Sequence, residues 1–583
     1  MRYVAMLTLM VWTFSGFAYQ DNWTKKSDEN AKVMLDIVAK YAPESAGQIG
    51  VEGLDEEIVD LTPGVNERFK ADAQRAIKAL ENKYKNEEHP ALRQDLEILM
   101  DTARQMIRGQ DLTEKYQYGY NQLAQNVFFG IRGLLDDQVA EERRPAALKR
   151  LKKYAGMAEG RQPITQLARD RMNEQFAKKG LLWPNKTDLE RYLRDSPRFM
   201  AALPQLFQKY GIEGYEEAYE TLQKQMDAYH DYLKKEILPN ARTDFRQPEE
   251  LYAYSLEQIG ITIPPQELIF RAQTAFSEIQ NEMHTIAALV AKEQGLETTD
   301  YRDVIRHLKK KQFEGEAILP HYKQRIGELE DLIKKHEIVT LPDRPMKIRL
   351  ASEAETAATP APHMQPPRMI GNTGEIGHFV LPLKIPGEHG DESFDDFTFE
   401  ASSWTLTVHE GRPGHELQFA AMVEKGVSQA RSLFAFNSVN VEGWALYSEA
   451  VMKRYMPLEG QLISLQHRAL RAARAFLDPK LQLGLIQPEE AKAFLMKNVV
   501  LSEAMSNQEV ERYTIRAPGQ ATAYFFGYSN LMSLRAEVEL LLGDKLVLKD
   551  YHDFILSQGM LPPHLLRKAV LDEFVTGVIG KKS

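Results

Sequence analysis

Residues 405–418, TLTVHEGRPGHELQ, contain the residue types of a zinc site in an unusual spacing. In the common zinc-peptidase motif, two histidines four residues apart on a helix turn both imidazoles to one side, and a glutamate between them acts on water at the metal. Here Glu410 follows His409 directly, but His415 comes six residues after His409. On an unbroken helix, six residues turn through about 600°, so His415 would face away from His409.

Pro413 and Gly414, between the two histidines, offer a way to correct this spacing. Proline disturbs the hydrogen bonding of the preceding turn and glycine permits unusual dihedral angles, so a two-residue bulge could return His415 to the metal side. We interpret the histidines as metal ligands and Glu410 as the general base. Glu416 is a weaker alternative base. A His-Glu pair is also common on solvated helix faces, and that alternative stays open.

A third metal ligand is expected in residues 440–449, NVEGWALYSE. A catalytic zinc ion usually has three protein ligands and one position for water. Glu442 and Glu449 are seven residues apart and therefore share one face of a helix. Because unpaired buried carboxylates are costly, we assign Glu442 to the metal and Glu449 to the orientation of a histidine N–H. Pairing with arginines such as Arg454 or Arg471 is the alternative.

The first 18 residues have the features of a secretory signal peptide. Arg2 precedes an apolar run at 3–14, and Gly16 and Ala18 have the small-x-small spacing of a cleavage site. The run is short for a membrane span, although an uncleaved anchor is the alternative. The chain has no cysteine, which excludes lipid attachment, disulfides and thiolate ligands. We expect export to the periplasm, without stable membrane insertion after cleavage.

Composition is that of a globular protein: 43% of residues are hydrophobic and 27% are charged. The net charge of -10 and the dispersed lysines and arginines argue against nucleic-acid binding. A chain of 583 residues suggests more than one lobe. We expect an N-terminal helical region over 19–336 and a C-terminal catalytic region over 337–583.

Hydrophobic periodicity predicts a mainly α fold. Helical spacing is present at 71–84, 92–107 and 215–238; Thr187 resembles the start of one helix, and Pro265 opens another that runs to about residue 294. The strand-like runs MKIRLA (346–351) and HFVLPLKI (378–385) predict one small β-sheet before the metal-binding helix. The second run, near residues 378–383, could pair with an extended peptide.

The motifs at 409–418 and 442–449 resemble those of the bacterial family called domain of unknown function 885. Its hallmark is His-Glu-x-x-Pro-Gly-His-x-x-Gln followed by Glu-Gly-Trp-Ala-Leu-Tyr-x-Glu. Residues 509–520, with Tyr524 and Gly527 after them, and residues 551–562 also resemble this family. The resemblance implies a helical, zincin-like metallopeptidase fold, similar to thimet-type oligopeptidases and helical carboxypeptidases, with one zinc ion.

The late motif contributes candidate catalytic and substrate-binding residues. Related helical peptidases place phenols from a late helix over the metal, so the resemblance implies an oxyanion donor in Tyr513 or Tyr524, and Tyr528 could share the face of Tyr524. Each tyrosine could equally be a core residue. Arg512 and Arg516 could bind a substrate carboxylate bidentately, or form surface salt bridges.

The sequence therefore predicts an exported zinc-dependent hydrolase, a metallopeptidase of carboxypeptidase or oligopeptidase type acting on short peptides. Two alternatives stay open. One is a peptide-binding protein that has lost hydrolysis, and the other is a metal hydrolase of a non-peptide amide or ester.

Overall fold

In the computed structural model, which describes residues 22–580 except 177, 314, 388, 389 and 393, the chain is mainly helical, as the sequence predicts. It has the predicted small β-sheet and, in addition, a two-stranded sheet of β4 and β5. The predicted signal peptide, 1–18, lies outside the described residues. Among the described residues, no helix is both long and apolar enough to cross a membrane.

Helices account for most of the described chain before residue 336. They are α1 (Asn22–Tyr41), α2 (Pro43–Ile49), α3 (Val65–Tyr84), α4 (Pro90–Tyr116), α5 (Leu123–Arg132), α6 (Ala146–Tyr154), α7 (Ile164–Phe176), α8 (Lys186–Lys209), α9 (Glu216–Tyr232), α10 (Glu249–Ile259), α11 (Pro265–Gln294), α12 (Tyr301–Leu308) and α13 (Ile318–Lys335). The predicted helices at 71–84 and 92–107 lie within α3 and α4, and α11 has the predicted bounds. The start predicted at Thr187 is wrong, because the Asn185 side chain caps α8 by accepting the N–H groups of Thr187 and Asp188.

The strands and the later helices follow. They are β1 (Lys347–Leu350), α14 (Glu353–Ala358), β2 (His363–Gln365), β3 (His378–Leu381), β4 (Ile385–Gly387), β5 (Gly390–Glu392), α15 (Glu400–Glu410), α16 (His415–Lys425), α17 (Ser438–Met452), α18 (Leu458–Gln482), α19 (Pro488–Phe494), α20 (Glu503–Glu511), α21 (Ala523–Leu542), α22 (Leu548–Ser557), α23 (Pro563–Ala569) and α24 (Thr576–Gly580). Between α20 and α21, Arg512–Arg516 form a π-helical turn.

Three strands form a sheet in the order β1-β3-β2, with β1 parallel and β2 antiparallel to β3. The two predicted strands contain β1 and β3, but β2 lies in a proline-rich stretch that has no strand-like pattern. The expectation that the strand near 378–383 offers an open edge is wrong, because β3 is paired on both sides. β1 bonds the odd-numbered residues of β3: Lys347 N–H donates to Gly377 O, and Ala351 N–H donates to Leu381 O.

The parts of the chain on either side of residue 336 share hydrophobic clusters. Ala354 and Ala357 of α14 pack into the cluster formed by α5 to α9. Ala430 likewise packs with α1, α3 and α4. Burial of apolar surface therefore couples the N-terminal helices to the segment that carries the candidate site.

The site lies among packed helices: α18 packs against α11 and α15, and α17 packs against α15 and α21. Two glycines bring α17 and α21 into backbone contact. A Cβ on Gly443 would lie 2.7 Å from Gly527 Cα, and a Cβ on Gly527 would lie 2.0 Å from Val439 O. The close approach places the segment around Glu442 beside the first turn of α21, which carries Tyr524.

Candidate metal centre

The two candidate histidines lie at the facing ends of two helices. α15 ends at Glu410 and α16 begins at His415, with residues 411–414 in turns between them. The predicted bulge within one helix is therefore wrong, because the helix breaks instead. The break nevertheless brings His415 back to the side of His409. The two rings lie at 80° to each other, with their centroids 4.7 Å apart.

Hydrogen bonds to α15 and to α17 hold the turn between the helices. Gly414 N–H donates to Val408 O at 2.9 Å, and Trp444 Nε1–H donates to Pro413 O at 2.9 Å. A Cβ on Gly414 would lie 2.1 Å from His409 O, so a side chain does not fit there. The peptide between Arg412 and Pro413 is cis. Trp444 lies on α17, so the helix that supplies Glu442 also holds the turn.

Glu442 completes a group of three possible metal ligands. Its Oε2 lies 3.4 Å from His409 Nε2 and 3.3 Å from His415 Nε2. Ligand atoms at about 2.0–2.1 Å from a tetrahedral zinc ion are separated from each other by about 3.3–3.4 Å. Glu442 Oε2 is also buried without a hydrogen-bond partner among the described atoms. Both the donor set and the separations therefore fit a zinc ion.

The carboxylates around His409 favour a positive charge between His409, His415 and Glu442. Burial opposes protonation of His409, but its contacts with Glu442 and Glu449 outweigh burial and raise its pKa to about 9. Burial likewise opposes ionisation of Glu442, yet the two histidines hold the pKa of this carboxyl well below its usual range. A proton and a divalent cation compete for such a site, since a histidine ligates only when it is deprotonated.

Glu449 lies on the far side of His409, as expected for a residue that orients an imidazole N–H. Its Oε1 is 2.7 Å from His409 Nδ1, and it also accepts a hydrogen bond from the Thr405 hydroxyl. Arg471, the alternative partner, lies 3.7 Å away, so Glu449 contacts both groups. Burial opposes its ionisation, but Arg471 and His409 lower its pKa to about 2.

A cavity of about 650 Å³ opens beside the three ligand residues, and Glu410 lines it. Glu410 is 7% exposed as a residue, and no hydrogen bond among the described residues engages its carboxylate. Glu416, the alternative base, does not line this cavity: it is buried, and it accepts the Arg412 Nε–H at 2.7 Å. The alternative is therefore wrong, because the carboxylate of Glu416 is committed to an ion pair.

Tyr524 is the predicted tyrosine that reaches the cavity. Its ring stacks on that of His409 at an interplanar angle of 16°, with the centroids 6.1 Å apart. Arg512 Nη2 donates a hydrogen bond to the Tyr524 oxygen at 2.9 Å. Burial raises the pKa of Tyr524, although Arg512 opposes the shift. The phenol is therefore neutral near pH 7, and its own proton is free to be donated.

Comparison with known proteins places the chain in a family. Its sequence matches, over residues 43–570, the family described as "Bacterial protein of unknown function (DUF885)". The chain belongs to this family. No curated protein shows a significant match to it.

Two solved structures resemble this DUF885 protein closely in fold. A "putative lipoprotein" from Colwellia psychrerythraea is 18% identical, with a TM-score of 0.77 over 94% of this chain and 99% of the other. A "putative lipoprotein of unknown function" from Shewanella oneidensis is 20% identical, with a TM-score of 0.69 over 94% of this chain and all of the other. At these identities, the likeness shows a shared fold.

Two of the predicted tyrosines of the DUF885 protein lie away from the candidate metal group, which consists of His409, His415 and Glu442. Tyr513 is fully buried, and its hydroxyl donates to Glu509 Oε2 at 2.6 Å. Tyr528 is one helical turn beyond Tyr524, in a separate cavity under Arg468, whose guanidinium is 5.3 Å from the ring centroid. The roles expected for both tyrosines at the metal are therefore wrong.

The predicted arginines line the cavity, together with residues that the sequence did not single out. Arg512 and Arg516, four residues apart on the π-helical turn, share the cavity with the metal group. Phe419, Phe436 and Met505 also line it. Phe419 and Met505 carry no local signal of a site, because apolar residues on helices are ordinarily packing residues. Phe436 lies in the loop before α17.

Proposed function

We propose that this DUF885 protein is an exported zinc-dependent metallopeptidase that cleaves short peptides and has a helical, zincin-like catalytic site. The observation that carries the proposal is the spacing of the ligand atoms of His409, His415 and Glu442. They lie in one cavity with the carboxylate of Glu410, to which no described residue is bonded. Two imidazoles and one carboxylate are a donor set used by catalytic zinc sites, in which one position stays open.

A zinc ion held by His409, His415 and Glu442 would supply Lewis acidity for the activation of water and of the scissile carbonyl. Glu449 positions His409 for this role. By accepting the Nδ1–H, it directs Nε2 towards Glu442 and keeps the imidazole in one tautomer. Thr405 holds the second oxygen of Glu449 in turn.

Glu410 is the proposed general base. Its side chain lines the cavity beside the ligand residues, and no described hydrogen bond engages the carboxylate. An ionised carboxylate in this position accepts the proton of the attacking water and passes it to the leaving amine. Glu410 directly follows His409 at the C-terminal end of α15, so the helix holds the proposed base next to a proposed ligand.

Tyr524 is the proposed hydrogen-bond donor to the oxyanion that develops on the scissile carbonyl. Arg512 donates to the phenol oxygen, so the Tyr524 proton is available to another acceptor. The guanidinium also polarises the O–H bond and strengthens it as a donor. Stacking on His409 holds the ring beside the metal group.

The free edge of β2 favours a peptide over other amides or esters. Since β1 bonds the odd-numbered residues of β3, the even-numbered ones bond β2, through the pairs His378–Gln365 and Val380–His363. The N–H and C=O of Met364 therefore point away from the sheet. Met364 also lines the cavity, so its two backbone groups can pair with an extended peptide. A cavity of about 650 Å³ suits a few residues.

Export is the second part of the proposal. It is supported by the signal-like residues 1–18 and by the names of both solved relatives, which include the word lipoprotein. This chain has no cysteine to carry a lipid, so we propose a soluble periplasmic form. N-terminal sequencing of protein extracted from the periplasm tests this: the expected first residue is Tyr19, whereas a chain that still begins at Met1 in the cytoplasmic fraction contradicts it.

Metal analysis and peptide digestion test the hydrolase. Purified protein is expected to contain one zinc ion per chain and to cleave members of a diverse peptide library, with the products read by mass spectrometry. Glu410→Gln is expected to retain zinc and to lose at least about 100-fold in kcat. Glu400→Gln, on the exposed first turn of the same helix, is the matched control and is expected to leave kcat unchanged.

Each alternative outcome has a clear meaning. Zinc binding without cleavage across the library would favour a peptide-binding protein that has lost hydrolysis. Cleavage of ester or non-peptide amide substrates alone, with the same dependence on Glu410, would replace the substrate and keep the mechanism. Full activity of Glu410→Gln, or an active protein without metal, would remove the mechanism.

A further inference from the structure

We infer that Arg512, with Arg516 beside it, binds the free C-terminal carboxylate of the peptide, so that the enzyme works from that end of its substrate. This inference rests on the proposed peptidase function and assigns a ligand to one wall of its cavity. It concerns a binding site of the chain's own residues and does not depend on a metal ion.

Arg512 lies close to the proposed reaction centre. Its Nη2 donates to the Tyr524 oxygen at 2.9 Å, and the ring of Tyr524 stacks on His409. Only one side chain therefore separates the guanidinium from the metal group. The Arg512 guanidinium carbon lies 5.3 Å from the centroid of the Tyr524 ring, and that centroid lies 6.1 Å from that of His409. Since an extended chain advances about 3.3–3.6 Å per residue, this distance corresponds to a few residues at most.

The charge of Arg512 is not neutralised by a described carboxylate. Its hydrogen bonds go to the side chain of Gln520 and to Tyr524, both neutral acceptors. Glu509, whose charge acts on it, is already engaged by two hydrogen bonds from Arg474 and by the Tyr513 hydroxyl. A partly buried cation in a cavity is stabilised when a ligand supplies the missing negative charge.

Arg516 adds an unused donor to the same wall. Its Nε is buried without a hydrogen-bond partner among the described atoms. Glu511 Oε1 lies 3.8 Å from this nitrogen, but the same oxygen is 2.9 Å from Arg191 Nε. Arg191 is itself paired with Asp188 at 2.5 Å. The two guanidinium groups and the two carboxylates therefore balance in charge, and Arg516 contributes a hydrogen-bond donor to this wall.

A carboxylate is the ligand that this arrangement fits. The planar fork of a guanidinium matches the two oxygens of a carboxylate, and each bond is strengthened by charge on both sides. In a peptide, the C-terminus supplies such a group beside a backbone that can pair with β2. An amidated C-terminus has no negative charge and leaves the cation unpaired.

Affinity selection on the inactive Glu410→Gln protein tests the inference by binding alone. The probes are an equimolar pool of N-acetylated tripeptides with free carboxylates and the same pool with C-terminal amides, with the retained peptides counted by mass spectrometry. The free acids are expected to be enriched at least about 10-fold over the amides. In Glu410→Gln protein that also carries Arg512→Gln, this preference is expected to vanish, and with Arg516→Gln it is expected to weaken.

The matched control is Arg468→Gln in the same background. Arg468 also lies over a tyrosine of α21, Tyr528, but in a separate cavity. The Arg468→Gln substitution is expected to leave the preference for free acids intact. The melting temperatures of all variants are measured to show that they are folded. A second readout is digestion by the active protein, which is expected to release C-terminal residues from the acids at least about 10 times faster than from the amides.

Equal retention of acids and amides, retention of neither, or a preference that survives Arg512→Gln would overturn the inference. Cleavage of both pools at equal rates would also overturn it and would leave the peptidase proposal standing. Selective retention of the acids without any cleavage by the active protein would support the carboxylate site and count against the peptidase.

Discussion

Glu449 and His409 are joined by a buried contact of 2.7 Å between Oε1 and Nδ1, on the side of the imidazole opposite Glu442. Substitution of this carboxylate tests whether it serves the metal group. Glu449→Gln keeps the shape but loses the charge, and is expected to weaken zinc binding about 10–100-fold in competition with a chelator. Thr405→Val removes only one hydrogen bond to Glu449 and is expected to change zinc affinity by a few-fold. An unchanged zinc Kd in Glu449→Gln would contradict the assignment.

Zinc is expected to stabilise the folded protein through His409, His415 and Glu442. A ligand that binds only the folded state adds about 2.7 kcal/mol when its concentration is about 100 times its Kd. Added zinc should therefore raise the melting temperature of the metal-free protein. His415→Ala removes one of the three ligands and should abolish the rise in melting temperature. His336→Ala, at an exposed histidine, is the control and should keep the full rise. An equal rise in both variants would mean that zinc binds elsewhere.

Gly414 is expected to tolerate no side chain. A Cβ there would lie 2.1 Å from His409 O and 2.2 Å from Val408 O, which are backbone atoms that cannot move separately. Gly414→Ala should lower the free energy of unfolding by about 1–3 kcal/mol and displace His415 from the metal group, with loss of zinc binding. Gly327→Ala is the control, because its Cβ meets open space within helix α13. Normal zinc content in Gly414→Ala would refute the role of this turn.

Gly527 is expected to set the distance between α17 and α21. Its Cβ would lie 2.0 Å from Val439 O, so Gly527→Ala must push the two helices apart. Because Glu442 and Tyr524 lie on these helices beside the contact, we expect both a lower melting temperature and a lower kcat/KM. Ser529→Ala, which loses only a bond to its own helix at Phe525 O, should change neither substantially. Wild-type values in Gly527→Ala would show that the close approach is dispensable.

His552, in the stretch that resembles the family, is expected to make stability depend on pH. Its ring nitrogens lie 2.7 Å from Ile338 O and 2.8 Å from the Tyr447 oxygen, and burial lowers its pKa from 6.5 to about 4. Between these two values, the unfolded chain binds more protons than the folded chain, so stability falls as the pH falls. The loss attributable to His552 should approach about 1.4 kcal/mol per pH unit.

Urea unfolding of the wild type and of His552→Gln across this range measures the effect. The variant should be less stable near pH 7 but should lose less stability on acidification. Parallel pH profiles for the two proteins would show that another group is responsible.

Elements whose signals are local could be predicted from the sequence. Residues 71–84 and 92–107 were recognisable because a helix repeats every 3.6 residues, and the proline at the first position of α11 marked its start. The same periodicity predicts that Glu442 and Glu449, seven residues apart, share one face of a helix. Both residues lie on α17, and both reach His409.

Other features depended on contacts between distant parts of the chain. The strand β2 was missed because its prolines hide a strand that exists only through pairing with β3. Tyr513 and Tyr524 are equivalent as phenols, but packing buries one against Glu509 and leaves the other beside His409.

By itself, the sequence identified the candidate residues, two histidines and three carboxylates, and the helical spacing of Glu442 and Glu449, in a mainly α chain. Only the tertiary structure decided how His415 returns to His409. The helix breaks at residues 411–414, and Trp444, from another helix, holds the turn through Pro413 O. The physical reason is that helical periodicity is a property of neighbouring residues, whereas the break is stabilised by a partner about 30 residues away.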